Sequence, residues 1–409
     1  MEKTQRSPSS AADEKTTNTT DPNPWDIIAK YPTNCNAHES SWWKDVGPLL
    51  GRLLQLADYS VHQQYEYLLF ARNHIVPSLG PYPQRWPSVM TYTDLPIEMS
   101  INFQDGKKSN VRVSFEPICE LSGTPRDRFN QVAAEQLVAG LSALGPGLDR
   151  VLYHHFARDF GISESETRKL NAEAFVRHSV QSVYNFGCDF QHTGPVFKAY
   201  VYTGLKRRIS GNPMRRVLGE SLGRLDAMTG RGDGEAGRMV VDYMEEGGGF
   251  NEYMYLAWDF VDAAHARVKV YGVQTDLSLR KVEEVWTMGG RLKDPVTLCG
   301  LGLVRRLWGM LEGDGLGDGS IFMWNYEIRP GCGTPIQKVY LPLLGKNDLF
   351  VAKALAKFFH SLGWTDKARA YVDNVRYLFQ SARLHVWVSL AYSEKSGAYM
   401  SVYYHSSLA

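Results

Sequence analysis

The feature that most constrains this chain is a pattern that recurs at long intervals. A cation, one intervening residue and a tyrosine lie inside a segment of alternating polarity. The pattern stands at Lys198/Tyr200 in VFKAYVYT (196–203), Lys269/Tyr271 in ARVKVYGV (266–273) and Lys338/Tyr340 in IQKVYLPL (336–343). Alternation with period two is the mark of a β-strand, whose successive side chains point to opposite faces. In ARVKVYGV, Arg267, Lys269 and Tyr271 share one face, opposed by Val268, Val270 and Gly272. PIEMSINF (96–103) sets Glu98, Ser100 and Asn102 against Ile97, Met99, Ile101 and Phe103. NVRVSFEPI (110–118) sets Arg112, Ser114 and Glu116 against Val111, Val113 and Phe115, and AYMSVYYH (398–405) sets Tyr399, Ser401 and Tyr403 against Met400 and Val402. GCDF (187–190) and LHVWVSLAYS (384–393) are further strand segments. QDGKKS, a turn at Gly194-Pro195, and EKSG read as the hairpin connections.

Helical spacing of apolar residues predicts helices over 47–73, 125–144 after a start at Pro125, 213–228, 278–288, 348–362 and 366–379, with Asp348 as an N-cap and Gly363 as a stop. The order is a helix followed by two strands, several times over. The apolar strand faces require burial, and amphipathic helices can cover them. The polar faces then point away from the helices. In an open sheet they would meet water; in a sheet closed into a barrel they would line the lumen. For any one strand a solvated face is the simpler account. The repetition favours one site built from many strands, with about five cations, several tyrosines and one notable carboxylate.

Composition narrows the function classes. The 409 residues carry a formal net charge of +1, so no global basic field points to nucleic acid. The five cysteines are an odd number with no CxxC, which argues against a disulfide framework or thiolate zinc and fits a reducing cytoplasm. No apolar run approaches the ~18 residues of a membrane span. Residues 1–24 are polar and Ser/Thr-rich and read as a disordered tail before a single domain over 25–409. GLGLVRRLWG lacks the strand–turn–helix context of a dinucleotide site, and EGDGLGDGS carries Leu316 and Asn325 where a calcium loop needs ligands. LLGKND has no upstream P-loop glycine, and EEGGGF (245–250) reads as a loop.

The lumen's chemistry follows from its charge. Arg112, Lys198, Arg267, Lys269 and Lys338 can neutralise a diphosphate, each close pair being worth on the order of 4 kcal/mol at an effective dielectric near 20. Tyrosine faces stabilise a carbocation by roughly 0.5–2 kcal/mol each and exclude the water that would quench it. A carboxylate on the same wall can accept a hydrogen bond from a heteroaromatic N–H. Such parts suit transfer of an allyl cation to an electron-rich ring.

From SSWWKDVGPLLGRLL (40–54) to SVYYH (401–405) the chain resembles the fungal aromatic prenyltransferases of the dimethylallyltryptophan synthase family. The resemblance is carried by YLLFARNHIVPSLGPYP, PIEMSINF with VRVSFEPI, FKAYVYT, RVKVYG, VWTMGGRL, KVYLPLLGKND and AYMSVYY in this order. It implies an α/β fold of the αββα prenyltransferase (PT) barrel type, with ten antiparallel strands around a lumen and helices outside. It implies dimethylallyl diphosphate as donor and no obligatory divalent metal; no DDxxD is present. By position, Arg112, Lys198, Arg267 and Lys269 match the family's diphosphate ligands, with Lys338 at a place where members vary. Tyr200, Tyr271, Tyr340 and Tyr403 match the shield around the allyl cation. Trp387 falls at a further shield position and, with Tyr202, is assigned to the acceptor pocket. Glu98 matches the glutamate that binds the indole N–H.

Two departures bear on the acceptor. Members that take free tryptophan carry an Arg upstream of the RxKxY strand and a Lys upstream of the FKAY strand. Residues 251–266 here hold no Arg or Lys, and residues 170–197 hold no Lys. A tryptophan-containing cyclic dipeptide, or another indole without a free carboxylate, is therefore the expected acceptor. Free tryptophan, tyrosine or another phenol is the alternative, and a non-catalytic barrel binding an isoprenoid diphosphate is a more distant one. His265, on the Arg267 face, is a candidate for the final proton or a structural residue. No nucleic acid or membrane partner is expected.

Overall fold

The structure, a computed structural model, describes residues 23–31, 36–85, 88, 90–91, 94–143, 148–169, 182–246, 252–312, 321–378 and 384–404. Ten strands form one closed antiparallel barrel: β1 (Ile97–Gln104), β2 (Asn110–Phe115), β3 (Tyr184–Gln191), β4 (Gly194–Tyr202), β5 (Glu252–Asp259), β6 (Val268–Gln274), β7 (Phe322–Ile328), β8 (Ile336–Pro342), β9 (His385–Ser393) and β10 (Gly397–Tyr404). Each strand pairs with its sequence neighbour, and β10 closes on β1, with Ser100 opposite Tyr403 and Asn102 opposite Ser401.

The apolar faces turn outward, as burial requires. Val111, Val113 and Phe115 of β2, Phe186 and Phe190 of β3, and Val268 and Val270 of β6 join one core with Trp42, Leu50, Leu53 and Leu54 of the helix Ala37–Leu56. Close approach needs a glycine at Gly300, in the helix Pro295–Leu311. A Cβ there would sit 2.5 Å from the Trp286 ring and 2.9 Å from the Tyr392 Cβ.

Several elements depart from the sequence expectations. The run 47–73 is not one helix: Ala37–Leu56 ends at Ala57, Asp58 takes φ 57°, and Ser60 and Gln63 form a capping box that starts Val61–Phe70. The helix placed after Pro125 begins only at Gln131, where the Asp127 carboxylate accepts from the Gln131 and Val132 N–H groups. GLGLVRRLWG lies within the helix Pro295–Leu311, capped by Asp294. Asn347, not Asp348, caps the helix Asp348–Ser361. The turn placed at Gly194-Pro195 falls at 192–193, and both residues belong to β4. β5 and β7 were not anticipated. Their sequences, EYMYLAWD and FMWNYEI, are buried on both faces and lack the polar alternation that marks the other strands. The tail over 1–22, the glycine loop at 247–250 and the loop at 313–320 lie outside the described residues; residue 24 opens the helix Pro24–Lys30. Among the described residues no helix is long and apolar enough to cross a membrane.

Candidate active site

The barrel converts the recurring cation-x-Tyr pattern into two rings. Arg112, Lys198, Lys269 and Lys338 stand on β2, β4, β6 and β8. Two residues further along, Tyr200, Tyr271 and Tyr340 stand on β4, β6 and β8, and Tyr403 stands on β10. The intervening strands supply what such bulky, charged neighbours need. Asp189 of β3 lies opposite Arg112, Asp259 of β5 opposite Lys198, and Glu327 of β7 opposite Lys269. Beside the tyrosines they place small residues or amides: Asn185 and Ala257 flank Tyr200, Asn325 faces Tyr271, and Ser389 faces Tyr340.

These acids make a ladder of buried ion pairs, where the sequence pointed to a single carboxylate. Arg112 contacts both Asp189 oxygens, one through its Nη2 at 3.2 Å. Lys198 Nζ sits 2.7 Å from Asp189 and 3.1 Å from Asp259. Arg267 reaches Asp259 at 2.7 Å and Glu327 at 3.4 Å, while Lys269 is 3.2 Å from Glu327 and Arg329 2.6 Å from it. Burial pushes the three carboxyls up, but the surrounding cations outweigh it and hold all three well below their usual range. Lys198 is likewise opposed by burial, yet two carboxylates keep it above its ordinary value. Lys269 has less compensation: burial and the Arg267 charge bring it down to about 8. Among the described residues Lys338 has no carboxylate within ion-pair distance; burial, then Arg112 and Lys269, push it well down. Its Nζ donates to Ser401 Oγ at 3.2 Å and lies 5.1 Å and 4.7 Å from the Tyr340 and Tyr399 ring centroids.

Four of the five predicted cations, Arg112, Arg267, Lys269 and Lys338, line one polar cavity of about 480 Å³ with Asp189, Glu327, Arg329 and Tyr399. Lys198 does not line it; it lies beneath, held by Asp189 and Asp259. A second cavity of about 150 Å³ is lined by Glu98, Ser114, Asn185, Met254, Tyr255, Ile321, Met323, Trp387 and all four predicted shield tyrosines. Tyr271 and Tyr340 line both cavities, so the two share a wall. The belt is continuous: ring centroids run Tyr200–Tyr271 6.0 Å, Tyr271–Tyr340 6.0 Å and Tyr340–Tyr403 6.1 Å. Burial raises all four phenols, which stay neutral.

Glu98 belongs to the second cavity. Its Oε1 is buried without a hydrogen-bond partner, and burial lifts its carboxyl to about 8 against the opposing pull of Arg112. Trp387 lines the same cavity in regular alternation with Ser389, and a β-bulge follows it. β10 pairs Tyr403 with Trp387 but Tyr404 with His385, so Val386 is the extra residue and joins the lumen cluster. Asp348 secures this bulge by accepting from the Leu384 and His385 N–H groups and pairing with His385 Nδ1 at 2.7 Å.

Two assigned positions sit apart. Tyr202 stands behind Tyr255, ring centroids 5.7 Å apart, and accepts from Arg208; it does not line the second cavity. His265 is 83% exposed at its side chain and pairs with Asp262 at 3.3 Å, outside the lumen, so it is not the base. Sequence reasoning missed Asp189, Asp259, Glu327, Asn185 and Tyr255. The signal available was a closing acid in each of FGCDF, LAWDF and WNYEI, one per intervening strand.

A profile described as tryptophan dimethylallyltransferase matches residues 38–374. The chain belongs to this family. It is 39% identical over 406 residues to echinulin prenyltransferase 1 of Aspergillus ruber, covering 94% of this chain and 97% of that protein. It is 37% identical over 419 residues to deoxybrevianamide E synthase notF of an Aspergillus species, covering 94% and 91%. The crystal structure of NotF in complex with brevianamide F and DMSPP superposes with a TM-score of 0.87 at 38% identity, covering 94% of this chain and 99% of that one. The ten-stranded barrel is thus a prenyltransferase barrel, and the chain is an aromatic prenyltransferase of the tryptophan dimethylallyltransferase family.

Proposed function

We propose that the acceptor is the indole of a tryptophan-containing cyclic dipeptide, or a similar indole with no free carboxylate, and that dimethylallyl diphosphate is the donor. The observation that carries this reading is the shared wall at Tyr271 and Tyr340. One lumen holds cations on one side and, on the other, a buried carboxylate with an unpartnered oxygen. Among the described residues, no Lys or Arg lines the Glu98 cavity, so the carboxylate of free tryptophan would meet no counter-ion there. The relatives' names and the NotF complex with brevianamide F and DMSPP support the same acceptor class.

In this reading Arg112, Arg267, Lys269 and Lys338 grip the diphosphate, and Lys198 supports them from below through Asp189 and Asp259. The C1–O bond of the donor breaks, and the diphosphate leaves with the bonding pair. Tyr200, Tyr271, Tyr340 and Tyr403 enclose the allyl cation. Glu98 accepts a hydrogen bond from the indole N–H, which enriches the ring; a ring carbon bonds to the allyl cation, and the displaced proton leaves with the released diphosphate. Trp387 closes the acceptor side, and Tyr202 buttresses Tyr255. No divalent metal is obligatory because lumen cations take its place at the diphosphate, and basal turnover is expected to survive EDTA; complete loss rescued by a metal would refute this point. Free thiols at Cys119, Cys188, Cys299 and Cys332 support action in the cytoplasm.

The test is incubation with labelled dimethylallyl diphosphate and a panel of tryptophan-containing cyclic dipeptides, free tryptophan, tyrosine and simple indoles. The expected result is alkylation of the cyclic dipeptides with little of the free amino acids. Donor binding without any alkylated product would return the barrel to a binding role.

A further inference from the structure

Asn185 raises a question that the donor and Glu98 leave open. Its side chain is nine-tenths buried, at 6% exposure, and lines the Glu98 cavity. Its Nδ2 donates to the Tyr255 hydroxyl at 3.2 Å, which leaves Oδ1 buried and without a partner. A buried amide oxygen left unpaired costs about 1–3 kcal/mol, so a ligand that supplies an N–H there recovers stability.

Its place on the wall relative to Glu98 defines that ligand. Glu98 pairs across the sheet with Ser114, and Ser114 with Gly187. Asn185 is two residues along β3 from Gly187. With strands about 4.8 Å apart and about 3.4 Å of rise per residue, the Glu98 and Asn185 backbones stand roughly 12 Å apart. Gly187 lies between them and is covered by the Tyr200 ring and Ser114 Oγ, which would stand 3.4 Å and 3.7 Å from a Cβ there. Glu98, Ser114, Tyr200 and Asn185 line the same cavity, so an acceptor whose indole N–H is on Glu98 can pass over Ser114 and the Tyr200 ring and present a second donor to Asn185. A cyclic dipeptide has such donors in its ring amides, one methylene away from the indole; a simple indole has none.

We propose that Asn185 is a specificity-determining residue that accepts a hydrogen bond from a ring-amide N–H of the cyclic dipeptide. This rests on the acceptor class proposed above. The test measures steady-state constants for Asn185→Leu and Asn185→Ala with a tryptophan-containing cyclic dipeptide, with 3-methylindole, and for the donor. Both variants should raise the cyclic dipeptide KM about tenfold, leave the 3-methylindole KM within about twofold, and leave the donor KM unchanged; the last also shows that they fold. Wild-type product from the cyclic dipeptide with an unaltered KM in the variants, or an equal rise for both acceptors, would overturn the Asn185 assignment alone. A wild type that alkylates no cyclic dipeptide would overturn the acceptor class and this inference together.

Discussion

The two ends of the lumen solve opposite problems. At the cation end, buried carboxylates pair with Arg112, Lys198, Arg267 and Lys269; register puts acid opposite base for three of them, and Arg267, just before β6, reaches Asp259 and Glu327 by its side chain. At the aromatic end, buried polar atoms are left open: Glu98 Oε1 and Asn185 Oδ1 have no hydrogen-bond partner among the described residues. The difference shows how one barrel can treat two substrates. A diphosphate is met by cations already held in ion pairs with Asp189, Asp259 and Glu327. An indole is met by groups whose hydrogen-bonding capacity is held in reserve until it arrives.

The sharpest way to break the comparison is at the reserved carboxylate. Glu98→Gln should lower kcat for indole acceptors by about 100-fold or more, within the 10²–10⁴ range of positioned acid–base groups, while the donor KM holds. Intact turnover would remove Glu98 from the mechanism. Below about pH 8 Glu98 is mostly protonated, so acceptor kcat/KM in the wild type should climb with pH toward that value, and the climb should vanish in the variant.

The paired end should fail differently. Asp189→Asn strips a shared partner from Arg112 and Lys198, and breaking a buried pair costs about 3–5 kcal/mol. A fall in thermal stability larger than that of Glu98→Gln is expected by calorimetry; an equal or smaller fall would deny the ladder its structural role. Lys269→Ala should lower donor kcat/KM by about 10–100-fold with less effect on acceptor KM. In the wild type, donor affinity should decline as pH rises through about 8, where Lys269 loses its proton, and donor binding near that pH should take up protons. A flat donor profile with proton-free binding in titration calorimetry would exclude this. The smallest change belongs to the shared wall: Tyr271→Phe keeps the ring face and should cost less than about fivefold in kcat, whereas Tyr271→Leu should cost more.

The sequence made the cation-x-Tyr strands legible because one face of each is polar and the other apolar, and the resemblance extended them to a ten-stranded barrel. It hid β5 and β7, whose inner faces hold Tyr255, Ala257, Met323 and Asn325 and whose outer faces are also buried, so that alternation disappears. With them went Asp259 and Glu327. Asp189 was in view within GCDF, but only the register across β2 and β4 gives it partners. Trp387 was placed by resemblance; the bulge at Val386 beside it, and the distant Asp348 that secures that bulge, depend on contacts between a helix and a strand 36 and 37 residues apart. Tyr202 and His265 share the parity of site residues, yet Tyr202 closes β4 behind Tyr255 and His265 lies in the turn before β6.

The closure of β10 onto β1 has a consequence for traffic. A ring of ten strands with every neighbour hydrogen-bonded has no seam to unzip and no free edge to which a foreign strand can add. Widening it sideways would break a whole row of ladder bonds at once. Substrates and products must therefore travel along the barrel axis.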